Sequence, residues 1–262
     1  MTTPSTTVLD TNSTTVETEG STASTTTSST TAPSTAAPST TVASSSSSSA
    51  PTTTDASPPA APAETVLAEP PPAYTSLVRT VDDATAARMA ASWREGCPVG
   101  LADLRLVEVD HWNFAGTISR GELVVHADHA HGIASVFALL YDVGFAIERM
   151  ELVDEYDADD DLSMAANNTS AFNCREVAWK PGVWSNHAFG TAIDVNPLVN
   201  PYVSGSTVLP PEGAAFADRS TSFTGGIFPG DDVVAAFASI GWGWGGDWSG
   251  AKDWQHFSAS GT

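Results

Sequence analysis

The sequence predicts an α+β domain built on antiparallel strands, preceded by a disordered tail. Two observations carry this. First, the composition breaks near residue 75: no Lys or Arg precedes Arg79 and no aromatic precedes Tyr74, whereas all eight Trp, all six His and both Cys come later. Second, beyond the break short β-runs and helical faces alternate irregularly, without the βαβ repeat of a parallel sheet.

Residues 1–75 are dominated by Ser, Thr, Ala and Pro. Such a stretch cannot bury enough apolar surface to offset its ordering entropy, so disorder is expected there. The bias is that of a mucin-like stalk; a plain flexible linker without a binding role is the simpler reading. Residues 76–262 have the length of one domain and enough apolar content for a core.

Within that domain, Asp82 or Asp83 can cap a helix running through Ala87, Met89 and Trp93 and stopped by Gly96. Leu104–Trp112 alternates and is β-branched, so it reads as a strand; Gly121–Val125 reads as another. Ile133, Val136, Phe137 and Leu140 recur at helical spacing, and Gly144 closes that helix. Phe145–Val153 is expected to return as a strand. Thr191–Val195 should be a short strand ended by Pro197 and Pro201. Asp231 should cap a last helix with Val234 and Phe237 inward and Gly241 at its end, and Trp254–Phe257 should be the final strand.

The formal charge of −21 argues against nucleic acid as a partner, because phosphate binding needs a basic stripe. No apolar run is long enough to span a membrane. Met1-Thr2-Thr3-Pro4 lacks the basic and apolar regions of a signal peptide, yet stalks of this composition belong outside the cell. We therefore expect an extracellular or wall-associated protein whose signal or anchor lies upstream of this Met1. Cys97 and Cys174 sit in no CxxC motif. In a secreted domain two cysteines pair more often than they stay free, so a disulfide closing a long loop is expected; two buried thiols are the alternative.

The chemistry is concentrated in two short motifs. One is Ser185-Asn186-His187-Ala188-Phe189-Gly190-Thr191-Ala192-Ile193-Asp194; the other is Asp253-Trp254-Gln255-His256-Phe257. Two imidazoles and two carboxylates make a catalytic zinc inventory: three ligands, an open position for water, and a separate base. His187 and Asp194 are seven apart, an odd separation that would send them to opposite faces of a straight strand. They converge only if the chain turns between them, and Gly190 permits the turn. Trp242, Trp244, Trp248 and Trp254 can wall a cleft and pack against an extended substrate.

These motifs resemble peptidase family M15, the zinc D-Ala-D-Ala carboxypeptidases and dipeptidases. Trp242–Trp248 before Asp-Trp-Gln-His-Phe is similar to its L-alanyl-D-glutamate endopeptidase-like branch, as is the stretch Ser163–Arg175. The resemblance spans roughly Cys97 to Phe257. It implies a compact fold of the hedgehog/DD-peptidase kind, with a central antiparallel sheet and flanking helices. It also implies one Zn2+ per domain held by His187, Asp194 and His256, with Asp253 as the catalytic carboxylate and Arg175 polarising or holding the substrate. Many relatives have Glu at the position of Asp253. The expected partner is a peptidoglycan stem peptide, cut by a monomer either at D-Ala-D-Ala or at L-Ala–D-Glu. A non-catalytic wall-binding or signalling module on the same fold is the rival reading.

Other polar clusters read more plainly. His126, His129 and His131 fall at a helix start and suit a solvated or capping face. Asp154–Asp161 lacks the EF-hand spacing and reads as a solvated loop near the site mouth. Asn168-Thr-Ser and Asn12-Ser-Thr match glycosylation acceptors. Ser185 suits a role orienting His187.

Overall fold

The structure is a computed structural model that describes residues 70–178 and 180–262. The stretch expected to be disordered, residues 1–75, lies outside the described residues except for 70–75, and so does Asn12. Among the described residues no helix is long and apolar enough to cross a membrane.

The chain opens with strand β1 (Ser76–Thr80) and helix α1 (Asp83–Arg88). Asp82 caps α1, its Oδ1 accepting from the Thr85 amide at 2.8 Å. The helix is shorter than its apolar pattern predicts. The amides of Ala91 and Ser92 donate instead to Asp154 Oδ1, at 2.9 and 2.8 Å, and this pulls the chain off the helix axis. Strands β2 (Leu104–Trp112) and β3 (Ile118–His126) then form a long antiparallel hairpin, in register from Leu104↔His126 to Trp112↔Ile118. The Asn113 carboxamide oxygen makes the turn by accepting from the amides of Ala115 and Thr117. β1 completes this sheet along the free edge of β2.

Both faces of this sheet are covered. Val107, Val109, Leu123 and Val125 point into the main core; Leu104, Leu106 and Val124 point into a smaller one with Met89, Leu152 and Phe172. Helix α2 (Ala130–Asp142) packs on the first face through Ile133, Val136, Phe137 and Leu140, the stripe its spacing predicts. Burying four such side chains contributes roughly 2 kcal/mol each. Gly144, at φ +69°, ends the chain's helical course.

The stretch 145–153 departs from its expectation. It is extended but makes only single bridges, Trp112↔Ala146 and Arg149↔Asn168. Two of its amides go to side chains, Glu148 donating to Asn196 Oδ1 and Glu151 to Asn168 Oδ1, so no ladder forms. The Asn168 side chain is wholly buried in returning these bonds, which removes it as a glycosylation acceptor. Helix α3 (Asp160–Ala165) follows, capped by Asp159.

The C-terminal part holds two small sheets. Strands β4 (Ala192–Asp194), β7 (Gly243–Trp244) and β9 (His256–Ser258) make one, in the order β4-β9-β7. Strands β5 (Tyr202–Ser204), β6 (Thr207–Leu209) and β8 (Lys252–Asp253) make the other, in the order β6-β5-β8. The α+β class with antiparallel pairing is as predicted, with the pairing divided among three three-stranded sheets. Helix α4 (Asp232–Ser239) buries Val233, Ala236 and Phe237; Val234, expected inward, is only half-buried. Phe237 stacks on Phe257 with ring centroids 4.0 Å apart, fixing β9 against the core.

Cys97 and Cys174 are bonded, with Cα atoms 5.9 Å apart and 77 positions between them in sequence. A closed loop of that length limits the unfolded ensemble by about 4 kcal/mol. The double variant Cys97→Ser/Cys174→Ser should lose stability of that order in urea unfolding, and reduction of the unmodified protein should match it.

Candidate metal centre

The register of β4 on β9 builds the centre. Asp194 stands directly opposite His256, and Ile193 opposite Phe257. Directly opposed residues project to one face, so the carboxylate and imidazole meet while Ile193 and Phe257 enter the core. His256 Nδ1 donates to Asp194 Oδ1 at 2.8 Å.

His187 arrives from a 3-10 turn, Asn186–Phe189. Ser185 caps it, its Oγ accepting from the His187 amide, which is the orienting role read from the sequence. The turn ends at Gly190 with φ +67°. A Cβ there would lie 2.6 Å from the backbone nitrogen of His126, whose amide donates to the Gly190 carbonyl. Gly190 thus supplies both the left-handed turn and the close approach to β3. The His187 Nδ1–H donates to the Ala171 carbonyl at 2.6 Å. A carbonyl can only accept, so this bond fixes the tautomer and leaves Nε2 facing Asp194 Oδ2, 3.1 Å away.

One ligand atom from each of His187, Asp194 and His256 lies within 4.8 Å of the other two, and all three residues are buried. Among the described residues no other His, Cys, Asp or Glu group gathers so; His126, His129 and His131 do not converge. His129 packs its ring on Trp242 instead. Desolvation opposes ionisation of Asp194, but the adjacent His187 and His256 imidazoles prevail and hold its carboxyl well below the usual range. Two nitrogens and an anionic oxygen, with a hydrogen bond locking one ring from behind, fit a zinc ion.

Asp253 sits on β8, held by pairing with Tyr202. The turn from it to His256 is pinned by Trp244 Nε1, which donates to the Trp254 carbonyl. Burial pushes the Asp253 carboxyl up to about 7; the charges of His256, Asp194, Asp160 and Arg175 all act on it. Its Oδ1 is buried with no hydrogen-bond partner among the described residues. Gly245 leaves room for it: a Cβ there would stand 2.5 Å from the Asp253 carbonyl oxygen.

Residues 178–259 match the family model described as D-alanyl-D-alanine carboxypeptidase, within peptidase family M15. The segment carrying the centre belongs to peptidase family M15. No curated protein and no solved structure matches the chain. His187, Asp194, Asp253 and His256 lie inside the M15 segment, and Arg175 lies just before it.

The structure brings Arg175 to the same place. Its Nη2 pairs with Asp160 at 2.8 Å, and its Nε is buried without a partner among the described residues. Asp160 is a neighbour of the centre that sequence reasoning missed. It is one acid in a run, and nothing in the run marks which member turns inward. Desolvation pushes its carboxyl up, against the charges of Arg175 and His187. The tryptophan walls need correction as well. Trp242 and Trp244 are core residues, 4% and 3% exposed; only Trp248 and Trp254 keep a partly open face. Trp248 lies 5.7 Å from the His256 ring.

Gly190→Ala should cost about 2 kcal/mol, from a left-handed φ and a backbone clash together. Thermal unfolding would register this, and a variant as stable as the parent would show that the turn can relax.

Proposed function

We propose that the chain is a zinc peptidase that hydrolyses a peptide bond in peptidoglycan stem peptides, at D-Ala-D-Ala or at L-Ala–D-Glu. The observation that carries the reading is the convergence of His187, Asp194 and His256 with two open groups beside them. Those are an acceptor, Asp253 Oδ1, and a donor, Arg175 Nε, each buried without a partner among the described residues. The match of residues 178–259 to a D-alanyl-D-alanine carboxypeptidase family supports the substrate class.

His187 Nε2, an Asp194 carboxylate oxygen and His256 Nδ1 would hold the ion. When bound, zinc activates water near neutral pH and polarises a carbonyl. Asp253, its carboxyl raised toward neutrality by burial, is suited to take a proton from the attacking water and deliver it to the leaving amine. Arg175 offers its free Nε–H to the oxygen on which negative charge develops. The half-buried Trp248 offers an apolar face beside His256.

An extracellular or wall-associated setting agrees with the substrate, with the Cys97–Cys174 bond, and with the Ser/Thr/Pro-rich composition of residues 1–75. All five site residues come from one chain, so we read the active unit as a monomer.

The test uses the full chain, purified, with zinc content measured and muropeptide products identified by mass. Stoichiometric zinc and chelator-sensitive cleavage are expected, and the mass of the products names the bond. Bound zinc without cleavage would favour the non-catalytic wall-binding module. Asp253→Asn should lower turnover by roughly 10²–10⁴-fold while zinc stays stoichiometric. His256→Ala should lose the metal. Loss of zinc in Asp253→Asn instead would make Asp253 a ligand and overturn the assignment of roles.

A further inference from the structure

The pair Asp160–Arg175 joins the acidic run, read from the sequence as a loop near the site mouth, to the stretch before the 3-10 turn. Both partners stand on anchored backbone. On the Arg175 side, Cys174 is bonded to Cys97, its carbonyl accepts from Arg94 Nη1, and the Ser185 amide donates to the Arg175 carbonyl. On the Asp160 side, the chain passes through two consecutive left-handed residues, Asp157 at φ 57° and Ala158 at φ 56°. For Ala158 this backbone is strained and persists only because its surroundings impose it. Asn173 imposes it: its Nδ2 donates to the Ala158 carbonyl at 3.2 Å. The residue two before Arg175 thereby clamps the residue two before Asp160.

The pair itself is not deep. Its side chains are 29% and 28% exposed, so an ion pair here adds little to stability for its own sake. Its effect is on orientation. An arginine side chain has four rotatable bonds, and tying Nη2 to a fixed carboxylate removes most of that freedom before substrate arrives. With Nη2 held, Nε remains buried and without a partner among the described residues, and the carboxylate that holds Nη2 lies within reach of the charges of His187 and Asp194. We infer that Asp160 is a positioning residue that holds the Arg175 guanidinium in its working orientation through the carboxylate–Nη2 bond. This rests on the peptidase reading above for the role of Arg175, but not for the contact.

The experiment is a double-mutant cycle on the full-length zinc-loaded protein, with a chemical readout that does not need turnover. Arg175→Ala should lower kcat/KM by on the order of 10²–10³-fold, as loss of a charged donor to a developing oxyanion does. Asp160→Ala should lower it by roughly tenfold, mainly in kcat, with zinc stoichiometry unchanged. In the Arg175→Ala background, Asp160→Ala should add no loss beyond about twofold, because it acts only through Arg175. Asp160→Asn, which keeps volume and one acceptor, guards against misfolding and should fall between parent and Asp160→Ala. Separately, the rate at which phenylglyoxal modifies Arg175, read by peptide mapping, should rise several-fold in Asp160→Ala. Losses that multiply across the cycle, or an Arg175 modification rate unchanged by Asp160→Ala, would overturn the proposal. If the parent cleaves nothing but Arg175 becomes more reactive in Asp160→Ala, the positioning contact stands and the peptidase reading falls.

Discussion

The pairing of β4 with β9 is the constraint on which the site depends. Side chains on paired strands alternate faces, so a slip of one residue would turn Asp194 into the core and Ile193 toward solvent. The core forbids the slip. Ile193 and Phe257 are fully buried, and Phe257 is stacked on Phe237 of α4. Hydrophobic packing on one face therefore fixes polar geometry on the other. A buried carboxylate is costly alone, and Asp194 is tolerated because the same register delivers His256 to it while the Gly190 turn delivers His187. The buried His187–Asp194–His256 cluster is in this sense a by-product of a well-packed strand pair.

Glycines carry that precision outward. Gly190 lets the turn bearing His187 lie against the backbone of β3, and Gly245 lets Asp253 sit where no side chain could share the space. Trp244, buried in the core, reaches back with its Nε1 to hold the turn between Asp253 and His256. Trp244 thus does more to set the spacing of Asp253 and His256 than to line a cleft. An aromatic run reads the same in sequence whether it faces substrate or core; only the packing of α4 against β7 and β9 decides.

What was legible in the sequence follows from range. β2 is found to its end residues because its alternation is local, and the α2 stripe because four apolar residues at helical spacing need no partner to be read. The two halves of the His187–Asp194–His256 cluster were legible because each is a short motif and the turn at Gly190 is demanded by an odd separation. What was lost depends on distant partners. The length of α1 is set by Asp154, more than sixty residues away. The 145–153 stretch fails to become a strand because Asn168 and Asn196 take amides that a ladder would have used. Side-chain amides that replace a strand leave no periodicity to detect.

The acidic run shows the same point most sharply. In composition Asp154–Asp161 is a solvated face, and several of its members are exposed. Yet three of its carboxylates hold three different things. Asp154 binds the amides that end α1, Asp159 caps α3, and Asp160 binds Arg175. Two of these contacts, those of Asp154 and Asp160, bear on the stretch that the Cys97–Cys174 bond also anchors, the first through Ser92, whose carbonyl accepts from the Cys174 amide. The charge of the chain therefore acts at two ranges. As a net excess it disfavours polyanionic partners; as single carboxylates at short distance it sets geometry, with Asp160 holding Arg175 by its Nη2.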